Sequence, residues 1–388
     1  MQYLLLLAFL FGHGVLWVGV YNRLHAFPLA KRVLRIVDKL PIAVLLSIWL
    51  WIPVRAVRDP GTISAWLSET LRCTGWSGYA VICWLAALAG IFGWVRRCLT
   101  PQPAALRENR TTAIDVARKL GHKPVGSRLV SCLDWVPGHD MFRLHASEKT
   151  LVLSRLPAAL DGLSIVHLSD LHLTGRISRP FFELAVAHAN RWEADLAVVT
   201  GDIIDNPACL DWLPDTLGQL RARHGVYFIL GNHDWRLRRV AVIRQAVRDC
   251  GLVDVGGRWE RLSLDGQNIL LAGNEWPWFG PRPDVPARAA EEFRVLLSHS
   301  PDQLVWARRR EFDLMLAGHN HGGQICFPVI GPIVSPSLFG VKYASGLFDE
   351  PPTLLHVSRG VSGEEPIRYR CPGELTLLKL RSPVKNLG

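Results

Sequence analysis

The sequence predicts an α/β domain that is preceded by an α-helical membrane portion. From about residue 149 onward, short runs rich in Val, Ile and Leu occur without clean alternation, as in strands buried on both faces of a sheet. Strands that alternate with helices are typical of βαβ units, and helical patterns separate several of these runs. The predicted helices are Pro180–Arg191, Trp212–Arg221, Arg236–Cys250 and Asp302–Glu311.

Three apolar segments predict the membrane portion, which covers residues 1–98. They lie at residues 3–21, 40–57 and 76–95, and a transmembrane helix needs about 17–25 mainly apolar residues. The second segment is marginal, because its uncharged stretch, Leu40–Val54, is only about 15 residues long, and an interfacial or buried helix is the alternative. A cleaved signal peptide is the alternative for the first segment, although a basic start and a small-residue cleavage site are missing.

Positive charge is concentrated in the N-terminal part of the chain. Residues 1–130 contain 16 Lys/Arg and 5 Asp/Glu, whereas residues 131–388 contain 28 and 29. This distribution favours contact with a membrane surface, and no finger spacing or recognition-helix pattern supports a nucleic-acid partner. Basic residues crowd the segment from Arg23 to Lys39 and follow the third span from Arg96 onward. The positive-inside rule predicts a multi-pass protein of the cell (inner) membrane with a cytoplasmic α/β domain, provided that the second segment spans.

The remaining boundaries follow from changes in composition. Residues 99–145 are predicted to be a connector, punctuated by prolines, in which Thr111–Leu120 forms a short helix. Residues 146–382 form the α/β domain, and residues 383–388 form a loose tail. Eight cysteines lie scattered without a C-x-x-C pair, which indicates a reducing compartment rather than a disulfide scaffold.

Five of the apolar runs end in Asp, Asn or His. The segments are LSIVHLSDLHL, ADLAVVTGDIID, GVYFILGNHD, FRVLLSHSPD and FDLMLAGHNHGGQ. Ligands of open α/β sheets bind beyond the carboxyl ends of the strands, so these polar clusters can converge on one point. Alone, GDIID could form a turn and GNHD could cap a helix. Five such clusters in this order predict a common site.

The side chains of these clusters are suited to binding metal ions. Carboxylate, amide and imidazole groups without a thiolate favour Mn, Fe or Zn. One metal ion needs about four to six ligands, and the five clusters offer seven potential ligands. This number fits two divalent ions that share one bridging carboxylate. Such a pair acidifies a water, which attacks phosphorus as hydroxide. Gly322 and Gly323 are expected to let the backbone turn close to the ions. The polar residues at the ends of the five runs are Asp170, His172, Asp202, Asp205, Asn232, His233, Asp234, His299, His319 and His321.

Together, the motifs D-x-H, G-D-x-x-D, G-N-H-D, a single His and G-H-x-H resemble those of the calcineurin-like metallophosphoesterase superfamily. The resemblance covers roughly residues 145–382. HNHGGQI and the closing HVSRGVSGEEPIRYRCPGELTLL resemble the membrane-associated bacterial phosphoesterases of that superfamily. The implied fold is a sandwich of two mixed β-sheets flanked by helices. By motif, the resemblance assigns a first ion to Asp170, His172 and His321, a second to Asn232, His299 and His319, and the bridge to Asp202.

The resemblance also assigns roles in catalysis. His233 is expected to protonate the leaving oxygen or to stabilise charge on the phosphoryl group. Asp205 is expected to orient His233, with Asp234 as the alternative. Protein phosphatases of the superfamily carry Arg-Gly after G-D-x-x-D, where this chain has Asn206 and Pro207. The predicted substrate is therefore a phosphodiester or a pyrophosphate.

These observations predict a membrane-anchored, two-metal phosphohydrolase. Its expected partners are membrane lipids and a phosphate-ester or lipid-linked pyrophosphate substrate, for which the resemblance suggests a UDP-linked lipid A precursor. The alternative is a non-catalytic membrane scaffold or binding module on the same domain, although all seven expected metal ligands are present. Two segments each have two possible interpretations. The arginines from Arg236 to Arg248 form either a solvent-exposed helix face or a basic surface that binds phosphate groups. The segment EWPWFGP either packs in the core or forms an aromatic wall of the substrate site.

Overall fold

The computed structural model describes residues 2–58, 74–264, 266–289 and 292–383. The chain divides into two compact units, one of residues 1–101 with 336–342 and the other of residues 102–335 with 343–388. Apart from its first residue, the tail predicted over residues 383–388 lies outside the described residues.

The first unit is helical along its described part. Its helices are α1 (Gln2–Leu24), α2 (Lys31–Val37), α3 (Lys39–Arg58) and α4 (Thr74–Leu99). Two stretches are long and apolar enough to cross a membrane, Tyr3–Leu24 in α1 and Ser77–Leu99 in α4. The predicted second span does form a helix, α3, but charged residues near both of its ends leave a shorter apolar centre.

Polar contacts join α1 to both α3 and α4. Nδ1 of His13 lies 2.5 Å from the hydroxyl of Tyr79 on α4, and Nε2 lies 3.2 Å from the carbonyl oxygen of Val44 on α3. The indole of Trp49 on α3 donates to Leu10 O at 3.2 Å. Such hydrogen bonds hold helices together where lipid removes the hydrophobic driving force between them. The marginal helix α3 therefore packs against α1 as α4 does.

Along the described part of the second unit, fifteen strands form two large sheets and a hairpin. The first sheet has the order β1-β2-β15-β3-β4-β5-β6, the second has the order β13-β14-β10-β9-β8-β7, and β11 pairs with β12. The strands are β1 Leu106–Asp115, β2 Arg143–Val152, β3 Ser164–Leu168, β4 Leu196–Thr200, β5 Val226–Ile229, β6 Val253–Asp254, β7 Trp259–Leu264, β8 Gln267–Asn274, β9 Phe293–Ser298, β10 Leu314–Ala317, β11 Cys326–Phe327, β12 Gly331–Pro332, β13 Gly346–Glu350, β14 Thr353–Val357 and β15 Gly373–Arg381. The helices are α5 Val116–Leu120, α6 Arg128–Leu133, α7 Arg179–Asn190, α8 Asn232–Arg236, α9 Val240–Asp249 and α10 Leu304–Arg309.

Both sheets are mixed and face each other. β3 to β6 run parallel, while β15 is antiparallel to β3. In the second sheet β8, β9, β10 and β14 run parallel between the antiparallel β7 and β13. One apolar core contains Val198 of the first sheet and Val295 of the second. Another joins the first sheet to Phe181 of α7 and Ile243 of α9. The predicted sandwich of two mixed sheets flanked by helices is confirmed.

The structure differs from the sequence prediction at the start of this unit. Most of the predicted connector belongs to the second unit, because β1 pairs with β2 at the edge of the first sheet. The predicted helix over Thr111–Leu120 is wrong for Thr111–Asp115, which are strand, and is confirmed only over α5. β1 is an edge strand with mostly exposed polar side chains, so it lacks the apolar pattern of a buried strand.

The four helices predicted in this domain agree with the structure to different extents. Pro180–Arg191 corresponds to α7, and Asp302–Glu311 begins as a 3₁₀ turn before α10. Arg236–Cys250 divides into the end of α8 and all of α9. Trp212–Arg221 contains only 3₁₀ turns, since Pro214 and Gly218 disfavour an α-helix there.

Candidate metal centre

All five predicted polar clusters follow parallel strands. β3, β4 and β5 of the first sheet precede three clusters, and β9 and β10 of the second sheet precede the other two. The loops of both sheets meet at the carboxyl-terminal edge of the strands, where ligands of α/β folds bind. This edge brings together all nine predicted site residues, namely Asp170, His172, Asp202, Asp205, Asn232, His233, His299, His319 and His321.

Five of the seven predicted metal ligands have a left-handed backbone, which residues other than glycine rarely adopt. Such conformations cost about 1–3 kcal/mol each and persist where the surroundings fix them. Here Asp170 N donates to Gly201 O at 3.0 Å and His172 N donates to Asp202 O at 2.9 Å. The φ angles are +53° at Asp170, +48° at His172, +52° at Asp202, +70° at His319 and +50° at His321.

One glycine, Gly318, lets the backbone approach the site, and two more, Gly322 and Gly323, form the turn that follows His321. A Cβ atom on Gly318 would lie 1.8 Å from Ser169 Oγ and 2.2 Å from Asp170 Oδ2. Gly322 and Gly323 have φ angles of +65° and +81°, and this agrees with the turn expected after His321. The chain therefore turns sharply next to the predicted ligands.

The first group of potential ligands surrounds His172. Its Nε2 lies 3.0 Å from Nε2 of His321 and 3.6 Å from Asp202 Oδ2. The other ring nitrogens are engaged, because His172 Nδ1 donates to Asp205 at 2.6 Å and His321 Nδ1 donates to Ser362 O at 3.2 Å. In neutral rings, both Nε2 atoms therefore carry lone pairs that face each other. The whole group is Asp170, His172, Asp202 and His321.

The second group surrounds His299. Its Nδ1 donates to Thr200 O at 2.7 Å, so Nε2 of the neutral ring carries a lone pair. That Nε2 lies 3.2 Å from Asp202 Oδ2, 2.9 Å from Asn232 Oδ1 and 3.2 Å from His319 Nδ1. His319 Nε2 is buried and has no hydrogen-bond partner among the described residues. In this group too, several hydrogen-bond acceptor atoms face one another.

Both groups fit divalent metal ions. Buried acceptors that face each other are unfavourable unless a positive charge or a donor lies between them. A nitrogen and oxygen ligand set of this kind binds such ions. Asp202 Oδ2 is close to His172 of the first group and to His299 of the second, which is the position of a bridging carboxylate.

Asp205 joins the first group to His233. Its carboxylate accepts from Nδ1 of His172 and from Nδ1 of His233, each at 2.6 Å. Asp234 instead accepts from the backbone N–H groups of Gly231 and Ile204 at 2.8 and 2.9 Å. Of the two alternatives for orienting His233, Asp205 is the residue that contacts the ring.

The carboxylates set the protonation of the buried histidines. Burial by itself lowers the pKa of His233, but Asp205 and Asp202 outweigh it and raise the pKa to about 9. Burial likewise opposes Asp202 at His299, whose pKa is raised to about 9, so that a proton and a metal ion compete for Nε2 of this ring. Burial lowers the pKa of His319 well below its usual range, so this ring is neutral. The loops thus create a negative potential that favours positive charge.

The segment EWPWFGP divides into a buried and an exposed part. The Trp278 ring is buried and lies 5.1 Å from the ring of His319 and 5.4 Å from that of His299. Trp276 is 39% exposed, and the guanidinium of Arg282 lies 5.1 Å from its ring centroid. The core-packing interpretation is therefore confirmed for Trp278, while an aromatic wall of the substrate site stays a prediction.

Two further residues at the site were not assigned a role from sequence. Glu364 Oε2, from the GEEP of the closing motif, lies 3.6 Å from His233 Nδ1. Arg236 Nη1 lies 3.0 Å from His233 Nε2. Arg244 and Arg248 of the same arginine-rich segment instead pair with Asp254. The segment is therefore partly structural, and its first arginine faces the site.

The sequence model of the calcineurin-like phosphoesterase family matches residues 163–323, a range that contains all nine predicted site residues. An uncharacterized metallophosphoesterase of Bacillus subtilis, YkuE, is 32% identical over 248 residues, which cover 62% of this chain and 86% of that protein. A bovine transmembrane protein with metallophosphoesterase domain is 28% identical over 331 residues, which cover 78% of this chain and 71% of the relative. The phosphodiesterase YaeI of Escherichia coli is 27% identical over 220 residues, which cover 56% of this chain and 81% of that enzyme.

Proposed function

Since the chain belongs to the calcineurin-like phosphoesterase family, we propose that it hydrolyses a phosphodiester or pyrophosphate bond with two divalent metal ions. One observation carries the proposal. Two groups of buried nitrogen and oxygen atoms, around Nε2 of His172 and Nε2 of His299, share the carboxylate of Asp202.

The donor set indicates how the ions would be held. When bound, such a pair of ions supplies positive charge to the phosphoryl oxygens and lowers the pKa of the attacking water. Ligands without a thiolate suit Mn, Fe or Zn. Asp170, His172 and His321 would hold one ion, Asn232, His299 and His319 the other, and Asp202 both.

His233 is the residue suited to assist the leaving group. Asp205 Oδ1 accepts from its Nδ1, so Nε2 is the nitrogen from which a proton can pass to the leaving oxygen. Asp205 and Asp202, acting against burial, raise the pKa of His233 to about 9, which keeps the ring protonated near neutral pH. Trp278 packs against His299 and His319 and fixes their ring planes.

We further propose that the substrate is linked to a lipid. Two helices of the first unit have the length and composition of membrane spans, and a bovine relative is named as a transmembrane protein. An anchored site meets lipid-linked substrates at a high effective concentration. The relative YaeI is named as a phosphodiesterase, which supports the class of bond.

A multi-pass arrangement with the phosphoesterase domain in the cytoplasm completes the proposal. The basic segment Arg23–Lys39 and the residues after Arg96 lie on the same side only if α3 also spans. Single cysteines at Arg35 and Thr100 in a cysteine-free chain should both resist an impermeant maleimide in intact cells. Labelling of one position alone would indicate two spans, and labelling of both would reverse the orientation.

The activity is tested with the full chain in detergent micelles and bis-p-nitrophenyl phosphate. Hydrolysis should require Mn²⁺, stop with a chelator, and be lost in Asp202→Ala. Asp211→Ala is the matched control, because Asp211 is exposed. Full activity of Asp202→Ala, or full activity with the chelator, would exclude the two-metal reaction. A panel of phospholipids and nucleotide-linked lipids then tests the substrate class.

A further inference from the structure

Arg236 lacks a carboxylate partner among the described residues, although it lies at the edge of the metal centre. Its Nη1 contacts His233 Nε2 at 3.0 Å, and its Nε is buried without a hydrogen-bond partner in the described part of the chain. Arg244, eight residues further along the chain, pairs with Asp254 at 2.9 Å and with Glu275. Arg236 therefore differs from an arginine that serves the fold.

The chemistry of a guanidinium makes this arrangement incomplete. The group has five N–H donors and no acceptor, and it keeps its proton in proteins. One imidazole nitrogen satisfies a single donor at most, and none when the ring is protonated, while buried donors without a partner destabilise the protein unless a ligand supplies acceptors. The planar fork of arginine matches two oxygens of a phosphate group. The missing partner thus has the chemistry of a phosphate oxygen.

Arg236 lies close to the residues that are proposed to take part in the reaction. It ends the short helix α8, which also carries Asn232, a predicted metal ligand, and His233. In the neighbouring loop, the side chain of Asn206 is engaged within the protein, because its Nδ2 donates to Thr174 O at 3.3 Å and its Oδ1 accepts from Ala208 N. An anion bound by Arg236 would therefore lie beside His233.

We propose that Arg236 binds a non-bridging oxygen of the substrate's phosphoryl group, an inference that rests on the proposed function. The oxygen pairs with the guanidinium donors that lack an acceptor. Arg236 thus makes the site selective for substrates with an anionic phosphoryl oxygen, and it places that oxygen next to His233.

The test measures binding of inorganic phosphate to the metal-loaded full chain in detergent by calorimetry. Arg236→Ala should weaken the affinity about 10- to 100-fold, the loss expected for a hydrogen bond between charged groups. Arg236→Lys should lie between the two, because it keeps the charge and loses the fork. Arg239→Ala is the matched control, since Arg239 is exposed, and it should bind phosphate like the wild type.

A second readout separates phosphate binding from a structural role. For bis-p-nitrophenyl phosphate, kcat/KM of Arg236→Ala should fall by a similar factor, and guanidinium ions should restore part of it without changing the metal content. Unchanged phosphate affinity in Arg236→Ala, or a loss of affinity that follows the loss of metal, would overturn the inference. If Arg236→Ala does not fold, then Arg236→Lys must weaken phosphate binding with its metal intact, or the inference is overturned.

Phosphate binding requires no turnover, so the two proposals fail separately. A wild-type protein that binds phosphate through Arg236 and hydrolyses no phosphate ester contradicts the proposed function and supports the anion site. Hydrolysis combined with phosphate binding that is indifferent to Arg236 overturns the inference alone.

Discussion

Replacing Asp205 with Asn tests the connection between the metal centre and the proton donor. One carboxylate accepts from Nδ1 of His172 and from Nδ1 of His233, each at 2.6 Å. An Asn side chain has one carbonyl oxygen, so it can accept from only one ring, and its amide N–H faces the N–H of the other. The ring without a partner loses a charge-assisted hydrogen bond worth about 1.5–3 kcal/mol.

Two effects of Asp205→Asn should appear together. Loss of a hydrogen-bond partner of a metal-binding histidine weakens metal binding about 10- to 100-fold, so the Mn²⁺ concentration for half-maximal activity should rise by this factor. At saturating Mn²⁺, misorientation of His233 should still lower kcat by about 10²-fold. The first effect reports on His172 and the second on His233.

The assay is hydrolysis of bis-p-nitrophenyl phosphate by the full chain over a series of Mn²⁺ concentrations. Asp211→Asn serves as the control for the loss of one negative charge, since Asp211 is exposed. Wild-type Mn²⁺ dependence together with wild-type kcat in Asp205→Asn would refute the reasoning. A change in one quantity alone would show that only one of the two contacts matters.

Three further changes test other parts of the account. His233→Gln should lower kcat by about 10²- to 10⁴-fold while the metal content stays constant, and a wild-type kcat would exclude His233 as the proton donor. Gly318→Ala should reduce the metal content, because its Cβ would lie 2.2 Å from Asp170 Oδ2, whereas Gly93→Ala, with open space around it, should retain the metal. Glu374→Gln should lower the thermal unfolding midpoint at pH 7, since it removes the charge that pairs with buried Lys149 at 2.9 Å, a loss of about 3–5 kcal/mol. Although burial raises it, Lys149 and Arg359 hold the pKa of Glu374 well below its usual range, so this stabilisation is present above about pH 4.3 and is lost as the pH falls further. Midpoints of wild type and variant that do not converge in acid would contradict this assignment.

The metal centre was predictable because its residues follow directly on the strands that position them. His299 illustrates this: a lone histidine in SHSPD has no motif around it, yet it stands immediately after the buried strand β9. The left-handed backbone at Asp170 and His321 was not predicted, because even Asp and His, which adopt this conformation more often than most residues, do so in only a minority of cases. Those angles follow from packing around the site and not from local preference.

Features that depend on contacts between distant segments of the chain were harder to predict from the sequence. The side chains of β1 are mostly exposed and polar, and its only paired strand in the first sheet is β2. Its sequence therefore lacks the pattern of a buried strand and was interpreted as a connector. The contact of Trp278 with the rings of His299 and His319 depends on the fold of a loop between β8 and β9. For the same reason, the sequence could not distinguish Arg236 from the four arginines that follow it.

The central claim is that the five loops bind two divalent ions through a shared Asp202. Its most direct test is the metal content of the full chain, purified in detergent with Mn²⁺ and measured by inductively coupled plasma mass spectrometry. We expect two ions per chain in the wild type and in Asp211→Ala, and fewer than one in Asp202→Ala. One ion or none in the wild type, or two ions in Asp202→Ala, would contradict it.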